Sequence, residues 1–321
     1  MVTDVEKNLV IGIDIGGTGT KIGIVDARGE ILARDEGIAT ASYATFEEFV
    51  DAMNDVIKRL ITATGSEGRI RGVGVGAPDS NFYTGNIEHA FNLPWKGVLP
   101  LADMLSKKSG IPVYVTNDAN AAAIGEMTYG TAKGMKNFIV ITLGTGVGSG
   151  IVINGQLVYG CDGFAGELGH VTMVRGNEGR MCGCGRRGCL EAYCSATGVA
   201  RTAKEMLVSM NEPSMLRDIK EITSRDVYEA ARKGDKIALE IFEKTGTMLG
   251  EAIADFIAFS SPEAVILFGG LARAGKYLLE PLQKAVDKNI LHTFKGKAKI
   301  LVSKLRDSDA AILGASALAW E

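Results

Sequence analysis

Clusters of charge of one sign are missing from this 321-residue chain: 35 Lys and Arg stand against 38 Asp and Glu, for a formal charge of -3 and a pI near 5.8. Without a basic face the chain lacks the footprint of a nucleic-acid or membrane-surface binder, so small molecules are the expected partners. No run of about 20 apolar residues occurs, which excludes a helical membrane span. The start, Met-Val-Thr-Asp-Val-Glu-Lys-Asn, has no apolar core of a secretory signal. A cytoplasmic protein is expected. Low-complexity runs and flexible tethers are also absent, although the length favours two domains. The boundary between them therefore reads as a cleft. Cysteine is scarce, with 5 in the chain, and three of these crowd into Cys182–Cys189.

That crowding is the strongest local signal. His170, Cys182, Cys184 and Cys189 make a Cys3His set, the ligand count and softness that tetrahedral Zn2+ prefers in a closed structural site. Gly183, Gly185 and Gly188 allow the tight turning that brings three sulfurs to one ion. Disulfides fit less well, because Cys182 and Cys184 are too close in sequence for relaxed bridge geometry. Cys161 and Cys194 remain, and small buried apolar side chains are expected there. Glu167 and Glu191 bracket the set without being needed by a saturated metal, which leaves them to accept hydrogen bonds from a hydroxyl-rich ligand.

Two segments share one design. Leu9–Val25 reads as strand, glycine turn (Gly16-Gly17-Thr18-Gly19) and strand, and a turn at Ala27-Arg28-Gly29 leads to a third strand. Phe138–Val158 repeats it with Gly144-Thr145-Gly146-Val147-Gly148-Ser149-Gly150 and a hairpin at Asn154-Gly155, as if one unit had been duplicated. Between the copies, Thr45 and Glu48 form a capping box before Phe46, Phe49, Val50, Met53, Val56, Ile57 and Leu60 at helical spacing. Apolar strands at 72–76 and 112–115, a long helix around 241–256 stopping at Ser261-Pro262, a strand at 264–268 and an Ala-rich helix from about 310 complete an α/β layer pattern.

Glycine turns let backbone N–H groups approach anionic oxygens, so a facing pair suits a polyphosphate, while either turn alone is also an ordinary hairpin. The second turn does not fit G-x-G-x-x-G and runs into a strand, which argues against a dinucleotide site. Gly270 to Lys276 nearly forms a P-loop, but Tyr277 stands where Ser or Thr must bind Mg2+. Asp14, at the end of the first strand, is placed to face a hydrated Mg2+ beside the phosphates. Asn117-Asp118 ends a strand and opens a helix, where sites of open α/β sheets lie. Asp118 reads both as the N-cap of that helix and as a base able to take a hydroxyl proton during phosphoryl transfer.

Together these pieces resemble the ROK family of the actin-like, hexokinase-type ATPase superfamily over nearly the whole chain. Asp14 to Lys21 is similar to its first phosphate motif, Leu143 to Gly150 to its second, and Phe268-Gly269-Gly270 to its adenosine-side motif. Cys182-x-Cys184-Gly-x-x-Gly-Cys189-x-Glu191-x-x-x-Ser195 matches its zinc signature at every fixed position. The resemblance implies an α/β, two-domain actin-like ATPase (ribonuclease H-like) fold with an interdomain cleft. Domains are expected at 1–117 plus about 308–321, and at 118–307.

It further implies an ATP-dependent glucokinase with Mg2+ as cofactor and structural Zn2+ on His170, Cys182, Cys184 and Cys189. Asp118 would be the base towards the sugar 6-hydroxyl, with Gly76, Asn92, Asn117, Glu167, His170 and Glu191 as sugar contacts. Asp14, Gly16, Gly17, Thr18, Thr20, Lys21, Gly144, Thr145, Gly146, Gly269 and Gly270 would hold ATP and Mg2+. A homodimer is expected from the family's tendency. Asp79 departs from the pattern, since the family usually has Gly after Ala77-Pro78. Kinases of N-acetylmannosamine, N-acetylglucosamine or fructose share nearly all these residues. A sugar-responsive repressor would carry a helix-turn-helix domain, for which Met1 to Asn8 is too short.

Overall fold

The computed structural model describes residues 6–320. The first five residues of the charged N-terminal stretch, and residue 321 of the expected first domain, lie outside them. The chain divides into two compact units, one of Met1–Gly134, Leu157–Ala165 and Lys304–Glu321, the other of Met135–Gln156 and Gly166–Ser303.

The first unit is built on a five-stranded sheet. Its strands β1 (Leu9–Ile15), β2 (Thr20–Asp26) and β3 (Ile31–Ile38) form an antiparallel meander, with Asp14 opposite Lys21 and Ile15 opposite Thr20. Helix α1 (Phe46–Thr64) follows, and both halves of its Thr45/Glu48 capping box are formed. Strand β4 (Ile70–Gly76) then pairs parallel with β1. Short strands β5 (Ile87–Glu88) and β6 (Val98–Leu99) pair with each other. Helix α2 (Leu101–Ser109) leads to β7 (Val113–Thr116), parallel to β4, and β7 runs into α3 (Asp118–Thr128). The sheet order is β3-β2-β1-β4-β7. Phe49, Met53 and Ile57 of α1 are buried with Ile13, Ile22 and Val75 in one core.

The second unit repeats the plan. Strands β8 (Phe138–Leu143) and β9 (Val147–Ile153) are antiparallel, β10 (Gln156–Leu157) follows the Asn154-Gly155 turn, and α4 (Glu191–Cys194) and α5 (Ala196–Ser209) come next. The turn residues Asn154 and Gly155 have φ of +55 and +77, as a two-residue hairpin of this type requires. Helices α6 (Ser224–Arg232) and α7 (Lys236–Ser260) precede β11 (Ala264–Phe268), and α8 (Lys276–Asn289) precedes β12 (Lys299–Val302). The order β10-β9-β8-β11-β12, with β8, β11 and β12 parallel, matches that of the first sheet.

Helix α9 (Asp307–Ala317) returns to the first unit and packs on β1, β2, β4 and α3. A Cβ at Gly12 would collide with the Ile312 carbonyl, and one at Gly74 with the Ala315 carbonyl. Gly125 of α3 faces Gly314 so closely that a Cβ there would lie 2.7 Å from the Gly314 Cα. Because α3 is held this way against α9 and β4, it belongs with the first unit. The division therefore falls at Gly134, not at the expected 117/118. Residues 157–165 join the same unit, where Asn81 and Tyr83 bond the Asp162 and Gly160 carbonyls. Among the described residues no helix is long and apolar enough to cross a membrane.

Candidate functional site

In the first unit, the turn Gly16–Gly19 closes when the Gly16 N–H donates to the Gly19 carbonyl at 3.0 Å. Gly17 lies against a second loop, since a Cβ there would come within 2.7 Å of the Asn92 carbonyl. That loop is braced by Lys96, whose Nζ donates to the carbonyls of Ala90, Phe91 and Leu93 at 3.2, 3.0 and 2.8 Å. Trp95 is buried against Phe49, with ring centroids 4.8 Å apart. Asn92 and Thr18 are exposed, whereas Thr20 is buried and its hydroxyl bonds that of Thr40 at 2.9 Å. As the first residue of β2, Thr20 shapes the turn from beneath.

Asp14 and Asp118 are the charged groups of this unit that stand out. Burial, then the charge of Asp118, raises the Asp14 pKa to about 6, against the opposing pull of Lys21. The helix N-cap is Asn117, whose Oδ1 accepts the Asn120 N–H at 2.7 Å, and not Asp118 as the sequence suggests. Asp118 is the first residue of α3, and its Oδ1 accepts the Ala119 N–H at 2.8 Å. Its side chain stays accessible to solvent. The protein packed around it still raises its pKa, with a further push from the charge of Asp79, beyond what the backbone N–H bonds take back. An accessible carboxylate with raised proton affinity at the end of a parallel strand is what a general base requires. Gly76 is buried, and a Cβ there would press on Ala121 at 3.2 Å, so it serves close packing of β4 on α3.

In the second unit, the glycine turn is shorter than expected. β9 already begins at Val147, leaving Gly144-Thr145-Gly146 as the loop. The Ala196 N–H and the Thr197 hydroxyl hold the carbonyls of Gly144 and Thr145, each at 2.8 Å. Gly269 has φ +101 and lies where a Cβ would be 2.7 Å from the Leu143 carbonyl, so Gly269-Gly270 and the turn adjoin at the ends of neighbouring parallel strands.

The cysteine loop lies beside that turn. The ligand atoms of His170, Cys182, Cys184 and Cys189 all lie within 4.8 Å of one another. Cys184 Sγ is 3.7 Å from Cys189 Sγ, and Cys182 Sγ is 3.8 Å from His170 Nδ1. Ligand atoms about 2.0–2.3 Å from a tetrahedral cation stand ~3.5–3.8 Å apart, a spacing that the Cys184–Cys189 and Cys182–His170 pairs already show, within a set small enough for one ion to draw together. Burial pushes the Cys182 thiol up to about 12. Nδ1 of His170 faces the sulfurs and Nε2 points elsewhere, 3.8 Å from Glu167 Oε2.

Glu191 joins the two features. One carboxylate oxygen accepts the Val147 N–H at 3.0 Å and the other is 3.4 Å from Cys182 Sγ. A side chain at Gly146 would collide with it. The sequence pointed to Glu191 only as a ligand contact; its hold on the glycine turn depends on tertiary structure. Of the remaining cysteines, Cys194 is buried as expected, but Cys161 is exposed because it lies in the turn between Gly160 and Gly163.

Known proteins resemble this chain over nearly its whole length. The model of the ROK family matches residues 10–321. The chain is 38% identical to a glucokinase of Halalkalibacterium halodurans over 95% of this chain and 92% of that protein. Among solved structures, a ROK family glucokinase from Streptomyces griseus in complex with glucose and AMPPNP is similar with a TM-score of 0.79 and 34% identity, covering 97% of this chain and 99% of that one. A ROK family transcriptional regulator, homologue of the E. coli MLC protein, is similar with a TM-score of 0.86 and 25% identity, covering 97% of this chain and 77% of that one. The two like-ordered sheets carry the α/β actin-like ATPase fold of these neighbours. With its glycine turns, Asp118 and Cys3His loop in place, the chain belongs to the ROK family.

Proposed function

We propose that this protein is an ATP-dependent hexose kinase that phosphorylates the 6-hydroxyl of glucose. The observation that carries this reading is Asp118, an accessible carboxylate of raised proton affinity in the same unit as Asp14 and the first glycine turn. The sugar O6 attacks the γ-phosphorus of ATP, the bond from that phosphorus to the β–γ bridging oxygen breaks, and the O6 proton passes to Asp118 while ADP leaves. Asn92, Asn117, Glu167, His170 and Glu191 are assigned to sugar binding, with His170 Nε2 as an N–H donor once its Nδ1 is committed to the cysteine side. The glycine turns, Lys21, Thr18 and Gly269-Gly270 are assigned to the nucleotide.

Asp14 would face a hydrated Mg2+, which would supply neutralisation of phosphate charge. Zn2+ suits the donors of His170, Cys182, Cys184 and Cys189 and would supply only a fixed loop shape, which Glu191 passes on to the Gly144–Gly146 turn. The test is ADP release with Mg-ATP against glucose, N-acetylmannosamine, N-acetylglucosamine, mannose and fructose. Dominance by glucose supports the reading, and dominance by another sugar reassigns the substrate. The likeness to a regulator favours one other reading, a sugar sensor without catalysis. Sugar binding with no turnover of any of the five would support it.

A further inference from the structure

Strands β4 and β7 run parallel with Gly76 beside Thr116, and the Ala77 N–H donates to the Thr116 carbonyl at 3.0 Å. The segments leaving them, Pro78-Asp79 and Asn117-Asp118, therefore start side by side. Asp79 turns with φ +50, a left-handed conformation open to Gly, Asn and Asp and strained for most other residues. Its carbonyl accepts the Glu88 N–H at 2.9 Å. The loop beyond it is fixed at several points. Asn81 Oδ1 accepts the Tyr83 N–H at 3.0 Å while Nδ2 donates to the Asp162 carbonyl at 2.8 Å. The Tyr83 hydroxyl donates to the Gly160 carbonyl at 2.8 Å, and Phe82 stacks on Tyr159 with centroids 3.9 Å apart. Asp79 is thus an exposed acidic residue on a rigid stem, and its charge is felt at Asp118.

We propose that Asp79 is a second acidic residue of the acceptor site, a specificity-determining group that accepts a hydrogen bond from a hydroxyl adjacent to the one activated by Asp118. This rests on the kinase reading above. Two acceptor-only groups at adjacent strand ends favour a neutral ligand with neighbouring O–H donors and repel an anion, so neutral hexoses are selected and sugar acids excluded. Among the described residues, charged groups that bear on Asp118 include Asp79 and, from β1, Asp14, which faces Lys21 across the β1–β2 ladder.

The test compares the full chain with Asp79→Asn and Asp79→Gly, both of which tolerate the left-handed backbone, so the loop keeps its course. Glucose turnover is followed from about pH 5 to pH 9, and binding of glucose and gluconate is measured by calorimetry. In both variants the KM and Kd for glucose are expected to rise about tenfold, the loss of one hydrogen bond to a charged group, with kcat changing far less. The acid limb of kcat/KM moves to lower pH, and discrimination against gluconate weakens. Unchanged affinity, selectivity and acid limb in both variants would overturn the proposal. If the unaltered chain binds glucose without turnover, the kinase reading fails and calorimetry alone decides the role of Asp79. If it binds no neutral hexose at all, both fall.

Discussion

Burial raises the Asp14 pKa to about 6, so the folded protein holds this proton more tightly than the unfolded chain, whose value is near 3.8. A raised carboxyl contributes stability below the unfolded value and loses it as pH rises through about 6. At neutral pH the ionised, partly buried Asp14 therefore costs on the order of 3 kcal/mol. Asp14→Asn is expected to raise the melting temperature at pH 7, with the gain vanishing below pH 4, while turnover is lost. Thermal melts across this range check the sign. Asp118→Asn keeps the Ala119 N–H bond and the start of α3, so sugar binding should survive while kcat falls about 10²- to 10⁴-fold. A normal kcat in that variant would remove Asp118 from the mechanism.

At the scale of elements, α9 is the clamp that sets Asp118 in place. It meets the sheet at Gly12 and Gly74 and meets α3 at Gly125, all at distances a side chain would destroy. Gly74→Ala is expected to destabilise the fold by about 1–3 kcal/mol, read from denaturant unfolding, because the Ala315 carbonyl must move. Cys184→Ser should lose bound zinc by elemental analysis and raise the KM for sugar. Through Glu191 it should also raise the KM for ATP, an outcome that a loop serving sugar alone would not give.

Much of this layer was legible in the letters. The Thr45/Glu48 box, the Asn154-Gly155 turn and Ser261-Pro262 each punctuate the chain by local chemistry, and the elements begin and end where they indicate. Local chemistry does not decide between neighbours. Asn117 and Asp118 are both good caps, and only the folded backbone shows that Asn117 takes the role. Nor does it report contacts made by strand pairing. Asp79 and Asp118 are brought together by the β4–β7 register, and residues 157–165 reach the first unit through Asn81 and Tyr83. Thr20 reads as one more residue of a phosphate loop until the ladder buries it.

On the scale of the whole molecule, a kinase and a transcriptional regulator both resemble this chain closely in backbone, so the fold alone does not separate the two activities. That distinction lies with individual carboxylates and turns. What the fold does determine is how the first unit is assembled, from three separated stretches of which Lys304–Glu321 is the last. A chain ending before Lys304 is expected to leave β1, β2 and β4 unprotected in hydrogen exchange while β8 and β11 stay protected.

The same arrangement bears on synthesis. The β1–β3 meander is made well before the helix α9 that packs on it, and residues 135–303 intervene almost entirely as a separate unit. At translation rates of about 5–20 residues per second, the first sheet waits roughly ten to forty seconds for α9. During that interval the faces of β1 and β4 around Gly12 and Gly74, which α9 covers in the finished fold, are expected to be the part of the first unit most open to non-native contacts.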